Sequence, residues 1–128
     1  MIQYDNNEFF DDIVNLLKRI AFTNLIRYEV KELSLIICTI AQTVDFSNPD
    51  DNKLIERIEN VLGIKYAPEG KEDTLKAIRN FRNKLPIGST IDFFIPYGKK
   101  DICIILSNYN DSSETVISVN DIMSELNK

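Results

Sequence analysis

The stretch TIDFFIPYGKKDICIILS, residues 90–107, decides the fold, because helical periodicity gives way here to a strand-like pattern. Its two ends, Thr90–Pro96 and Ile102–Ser107, are short runs rich in isoleucine and phenylalanine, which is typical of strands. The intervening Tyr97–Asp101 contains a glycine and predicts a short turn. We therefore expect an antiparallel hairpin, which a third short strand over Thr115–Ser118 extends into a meander.

Upstream of the hairpin, apolar residues recur at helical spacing in four segments. These are residues 6–22, 25–45, 49–62 and 71–85. Residues 25–45 also alternate in places as strands do, and that alternative stays open. No Gly or Pro occurs between Asn24 and Asn48 to make the turn that a strand pair needs, which favours one long buried helix.

Capping signals place the ends of two helices. Asn48 is the expected N-cap of the third helix, with Pro49 at its first helical position. Gly63 is expected to end that helix. A short last helix is expected over residues 119–127, with Ser118 as its N-cap.

These elements predict an α+β fold. About four N-terminal helices pack with a three-stranded antiparallel meander and a short C-terminal helix. A length of 128 residues favours a single domain over residues 1–128.

The composition limits the chemistry that the chain can perform. There is no histidine, which excludes Ser-His and Cys-His pairs and His-ligated zinc. Four scattered glycines build no phosphate-binding loop. Cys38 and Cys103 lie in apolar runs and are interpreted as buried free thiols. We expect no catalytic residue, no cofactor and no metal, and hence no enzyme; a carboxylate-dependent enzyme is the less favoured alternative.

The acidic segment Asp45–Asp51 superficially suggests a calcium loop. It lacks the glycine and the glutamate that such a loop needs at its sixth and twelfth positions. Helix capping accounts for Asn48, Asp50 and Asp51 without a metal.

We expect neither a signal peptide nor a membrane-spanning segment in this sequence. The first five residues resemble no signal peptide, and the most apolar stretch, residues 33–44, is shorter than the ~20 residues that cross a bilayer. We expect no membrane partner and a cytoplasmic, reducing environment, in which free cysteines persist.

The net charge of −5 is unevenly distributed along the chain. Residues 1–64 hold eleven acids and six bases, residues 65–100 hold four acids and eight bases, and residues 101–128 hold five acids and one base. The basic residues of the fourth helix and of the hairpin turn are interpreted as solvated surface, and no nucleic-acid partner is expected. This interpretation concerns Lys76, Arg79, Lys84, Lys99 and Lys100.

A small acidic chain without catalytic or metal motifs is most simply a protein-binding module. In its small size, its acidity and its lack of catalytic motifs, the chain is similar to bacterial immunity proteins, which neutralise a toxin such as a nuclease. The similarity does not include a shared sequence motif. It implies a toxin or effector partner with a basic surface. The 19 isoleucines and 13 asparagines fit an AT-rich bacterial or phage gene. The alternative is a regulatory or assembly subunit that acts as a homo-oligomer through residues 25–45.

Candidate partner-binding residues are acids and aromatics expected to be exposed on loops. They are Asp45, Asp50, Asp51, Tyr66, Tyr109, Asp111 and Glu114.

Overall fold

The structure, a computed structural model, describes residues 5–20, 29–44, 50–108 and 114–127. The predicted α+β fold is confirmed: helices come first, a meander of strand order β1-β2-β3 follows, and a short helix ends the described chain. The elements are α1 (Asn6–Ile20), α2 (Val30–Ala41), α3 (Asp51–Leu62), α4 (Pro68–Lys84), β1 (Ser89–Phe94), β2 (Cys103–Asn108), β3 (Glu114–Ser118) and α5 (Val119–Leu126).

α2 is a helix, as favoured over strands, but it is shorter than the predicted 25–45. It begins after Glu29, whose backbone is extended and whose carbonyl accepts the Leu33 N–H at 2.9 Å. At the other end the N–H of Thr43 bonds to the carbonyl of Ile40, which tightens the last turn and ends the helix. The residues before Glu29 and after Val44 that the prediction included, 25–28 and 45, lie outside the described residues.

The predicted start of α3 is wrong by two residues. Asp50 is the N-cap: its backbone is extended and its carboxylate accepts the Lys53 N–H at 3.2 Å. Pro49 therefore precedes the cap instead of opening the helix, and Asn48 and Pro49 lie outside the described residues. The predicted end is confirmed, since Gly63 has a left-handed φ of 68°, a conformation that suits glycine.

α4 begins three residues before the predicted position. Ala67 is extended and Pro68 takes the first turn, where its missing N–H costs no hydrogen bond. Ser118 lies at the N-cap of α5, as predicted, but its side chain makes no capping hydrogen bond. Both cysteines are free; Cys103 is buried, whereas Cys38 is only half-buried. None of the described helices is long and apolar enough to cross a membrane.

The sheet is continuous and has one face against the helices. Ile91 of β1 lies opposite Leu106 of β2, and Ile104 of β2 lies opposite Ile117 of β3. All four side chains are buried in the main hydrophobic cluster, together with Phe9 of α1. β1 packs against α2, and β3 packs against α1 and α5, so the helices cover this inner face of the sheet.

Candidate functional site

The side of the sheet that points away from the core forms a surface that we call the outer face. Successive side chains of a strand point to opposite faces, and the pairing register brings alternate residues of the three strands into rows. The outer face comprises the rows Thr90–Ser107–Glu114, Asp92–Ile105–Val116 and Phe94–Cys103–Ser118.

The centre of the outer face is apolar. Ile105 is half-buried and lies directly opposite Val116, which is 41% exposed. Phe94 is 37% exposed and lies diagonally across from Ile105, within reach of an aromatic ring. The three side chains therefore form one contiguous apolar patch on the solvent side of the sheet.

The hairpin turn continues this apolar surface beyond the end of β1. Ile95 and Tyr97 are both largely exposed. Single exposed apolar side chains are ordinary on protein surfaces, but a contiguous group is typical of an interaction site.

The charges on the outer face are acidic. Asp92 and Glu114 are exposed, and no strand position of this face is occupied by Lys or Arg. The turn beyond Phe94 carries two exposed lysines, Lys99 and Lys100. The apolar patch thus has carboxylates beside it on the sheet and lysines only at the hairpin end.

The structure does not bring the predicted contact residues together. Asp45, Tyr109 and Asp111 lie outside the described residues. Asp50 is exposed and caps α3, which packs against α2 and α4. Glu114 is exposed on β3, so it belongs to the outer face.

Asp51 is held in an ion-pair network within the protein. One carboxylate oxygen accepts from Nε of Arg79 at 3.0 Å, and the other accepts from Nη2 of Arg82 at 2.7 Å. The side chains of Asp51 and Arg82 are only 14% and 11% exposed. The geometry therefore makes Asp51 a clamp between α3 and α4 and not the exposed contact that the sequence suggested.

The expectation that Tyr66 is exposed is wrong, because its side chain is buried between α1 and α4. Its hydroxyl donates to the carbonyl of Ile20, and its backbone N–H donates to Oε2 of Glu59 at 2.8 Å. Glu59 is itself buried. Tyr66 thereby ties the α3–α4 loop to the end of α1, and this role is structural.

The environment of Tyr66 makes the free energy of unfolding depend on pH in the alkaline range. Burial, and secondarily the Glu59 carboxylate, raise the pKa of Tyr66 from 10.0 to about 12, against an opposing hydrogen bond with Thr74. Between these two values the unfolded chain loses the phenolic proton while the folded chain keeps it. The stabilisation is complete below pH 10 and is lost as pH rises toward 12, by on the order of 2 kcal/mol.

This pH dependence is measured by urea unfolding at a series of alkaline pH values. The Tyr66→Phe variant is the control, because it cannot ionise; its loss of stability between pH 10 and 12 should be smaller by the same amount. An identical slope in both proteins would show that Tyr66 does not carry the effect.

The basic residues of α4 do not act as one surface. Arg79 turns toward Asp51 of α3, whereas Nζ of Lys84 bonds to Oδ1 of Asp12 on α1 at 2.9 Å. This pair raises the pKa of Lys84. Lys76 lines an open groove of about 430 Å³ between α1 and α4. Two of these three side chains are thus paired with acids, and their interpretation as solvated surface charge stays a prediction.

No group of three or more Cys, Asp or Glu side chains that could hold a metal ion occurs within the described ranges. Comparisons with known proteins give no further indication: no protein-family model, no curated protein and no solved structure matches the chain.

Proposed function

We propose that the chain is a protein-binding module of the immunity or inhibitor type, which neutralises a toxin or effector with a basic surface by binding it through the outer face. The observation that supports this proposal is the contiguous patch of Phe94, Ile105 and Val116, in which Phe94 and Val116 are exposed, flanked by the carboxylates of Asp92 and Glu114.

The apolar centre and the acidic flank have different roles in such a complex. Apolar and aromatic side chains at the centre of an interface supply most of the affinity once water is excluded. Carboxylates beside it attract a basic partner, accelerate association and disfavour acidic competitors. A partner that fits the outer face therefore has an apolar anchor set among Lys or Arg side chains.

Much of the feature on which the homo-oligomer alternative rests is buried in the described residues. The broad apolar stripe of residues 25–45 was expected to remain available for a second copy. In α2 that stripe is buried within the chain, at Leu33, Ile36, Ile37 and Ile40. Leu35 is the only large apolar side chain of α2 that is exposed.

Co-expression with the product of the adjacent gene tests the proposed class. The expected result is a complex that co-purifies and cells that survive expression of the neighbouring toxin. If the two proteins did not co-purify and the cells were not protected, the proposal would be contradicted.

Val116→Lys tests the outer face directly. It places a cation at the centre of the patch, opposite Ile105, where a basic partner would bury it against its own charges. We expect the affinity for the partner to fall by about tenfold or more, as measured by isothermal titration calorimetry. The matched control is Leu35→Lys, because Leu35 is exposed to a similar extent, 47% against 41%, but lies on α2.

Equal affinities of the two lysine variants would exclude the outer face as the binding surface.

A second comparison concerns the acids of the outer face. The double variant Asp92→Asn with Glu114→Gln should associate with the partner more slowly and with a weaker dependence on salt, while the dissociation rate changes little. An unchanged association rate at low salt would contradict the acidic flank as a steering element.

A further inference from the structure

The turn that follows β1 displays one aromatic side chain from a restrained backbone. The N–H of Lys99 donates to the carbonyl of Pro96 at 3.0 Å, which closes a four-residue turn around Tyr97 and Gly98. The φ of 78° at Gly98 suits the third residue of a type II turn. Pro96 and this hydrogen bond therefore restrain the backbone on both sides of Tyr97, whose side chain is fully exposed.

A restrained, exposed tyrosine has the properties of an anchor in a protein interface. Its ring and hydroxyl offer a large amphipathic contact, and few rotatable bonds are immobilised when it is buried. A backbone that is already held in a turn loses little further conformational entropy on binding. Ile95, two residues before Tyr97, is 60% exposed and adds apolar area at the same end of the hairpin.

The charges beside Tyr97 are opposite in sign to those beside the apolar patch. Lys99 and Lys100 are both exposed, and neither forms an ion pair with any of the described residues. The next residue, Asp101, accepts a hydrogen bond from Nδ2 of Asn120 at 2.6 Å, so its carboxylate is engaged there. The two ammonium groups are therefore available to carboxylates of a partner.

A lipid surface also suits an exposed tyrosine next to lysines, but the charge of this chain favours a protein. Segments that bind anionic lipids typically carry about four to eight Lys or Arg, whereas this turn offers Lys99 and Lys100. The net charge of −5 opposes the approach of the whole chain to an anionic membrane. A local carboxylate group on a protein attracts the two lysines without this opposition from a whole charged surface.

We propose that Tyr97 is an anchor at the hairpin end of the binding surface and enters an apolar cleft of the protein partner, whose carboxylates contact Lys99 and Lys100. This inference rests on the proposed function, because it assigns what the partner presents to the end of the same surface. The partner then offers basic residues to Asp92 and Glu114, and acidic residues to the turn. Such a pattern of both signs fixes the orientation of the partner, since a reversed orientation would bring like charges together.

Calorimetric titration with the product of the adjacent gene tests the anchor. Tyr97→Ala should weaken binding by about tenfold or more and leave the circular dichroism spectrum unchanged, because the side chain is fully exposed. The matched control is Ile87→Ala, which should bind as the native chain does. Ile87 is 89% exposed and lies at the other end of β1, in a turn of the same kind. That turn is closed by the N–H of Ser89 and the carbonyl of Pro86 at 3.2 Å.

Charge reversal at the turn tests the acidic cleft. Lys99→Glu with Lys100→Glu should weaken binding to the same protein by about tenfold or more at low salt, because carboxylates would face carboxylates. Lys99→Arg with Lys100→Arg keeps the charges and should stay within about threefold of the native affinity. A double glutamate variant that binds as well as the native chain, or better, overturns the acidic cleft.

The failure of this inference can be told apart from the failure of the proposed function. If Tyr97→Ala and Ile87→Ala bind equally well while Val116→Lys binds weakly, the anchor is overturned and the outer face remains the binding surface. If the native chain does not bind the adjacent gene's product at all, the proposed function is contradicted and this inference with it. Sedimentation of the native chain, but not of Tyr97→Ala, with phosphatidylserine vesicles would assign the turn to a lipid surface and overturn the protein cleft.

Discussion

The Asp51→Ala variant is expected to lose about 3 kcal/mol of unfolding free energy, because it leaves the guanidinium of Arg82 buried without its counter-charge. Both carboxylate oxygens of Asp51 are engaged by arginines of α4. Nη1 of Arg82 already has no hydrogen-bond partner among the described residues. Removing one member of a buried pair costs far more than the intact pair contributes, since the remaining charge stays desolvated.

Urea denaturation measures this loss, and two controls separate its causes. Arg79→Ala removes the half-exposed partner of Asp51 and should cost less than about 1 kcal/mol. Replacing both buried members, Asp51→Leu with Arg82→Met, should recover most of the loss, because no unpaired charge remains. If Asp51→Ala were as stable as the native protein yet bound the partner weakly, Asp51 would be a contact residue after all.

The helices were largely predictable because their signals are local. Gly63 ends α3 where expected. A glycine directly after an apolar helical stripe is a signal that can be read from a few neighbouring residues. The start of α3 was not predictable to the residue. Asn48 and Asp50 can both cap a helix, and the choice between them depends on the backbone conformation, which the sequence alone does not specify.

The outer face could not be identified from the sequence, although its strands were. In β2 the run Cys103–Leu106 is apolar at every position, so the sequence has no alternating pattern that would show which residues face the helices. The register with β1 and β3 decides this, by placing Ile105 opposite Asp92 and Val116. Among the predicted contact residues that the structure describes, Asp50 and Glu114 are exposed as expected, and of these Glu114 lies on the outer face.

The role of Asp51 was missed for a related reason. Charges were compared along the chain, where Asp51 belongs to an acidic segment and Arg82 to a basic one. In the folded protein these opposite charges meet across 31 residues of sequence. Charge segregation along a sequence therefore indicates which segments can attract each other inside the fold as readily as it indicates a partner.

Ile104→Ala and Ile105→Ala, at neighbouring positions of β2, are expected to separate stability from binding. Ile104 is fully buried on the inner face, where it lies between Phe93 and Ile117. Its truncation should lower the free energy of unfolding by about 2–5 kcal/mol, through lost burial and the cavity left behind. Chemical denaturation measures this loss, which is a large part of the 5–15 kcal/mol typical of a domain.

Ile105→Ala removes the same atoms from the other side of the same strand. Ile105 is partly buried and belongs to the outer face, so about 1–2 kcal/mol of stability should be lost, less than at Ile104. Affinity for the partner should nevertheless fall by about tenfold, because the centre of an apolar patch carries most of the binding energy. Equal losses of stability in the two variants would place both side chains in the core. The apolar patch would then be too small to serve as a docking surface.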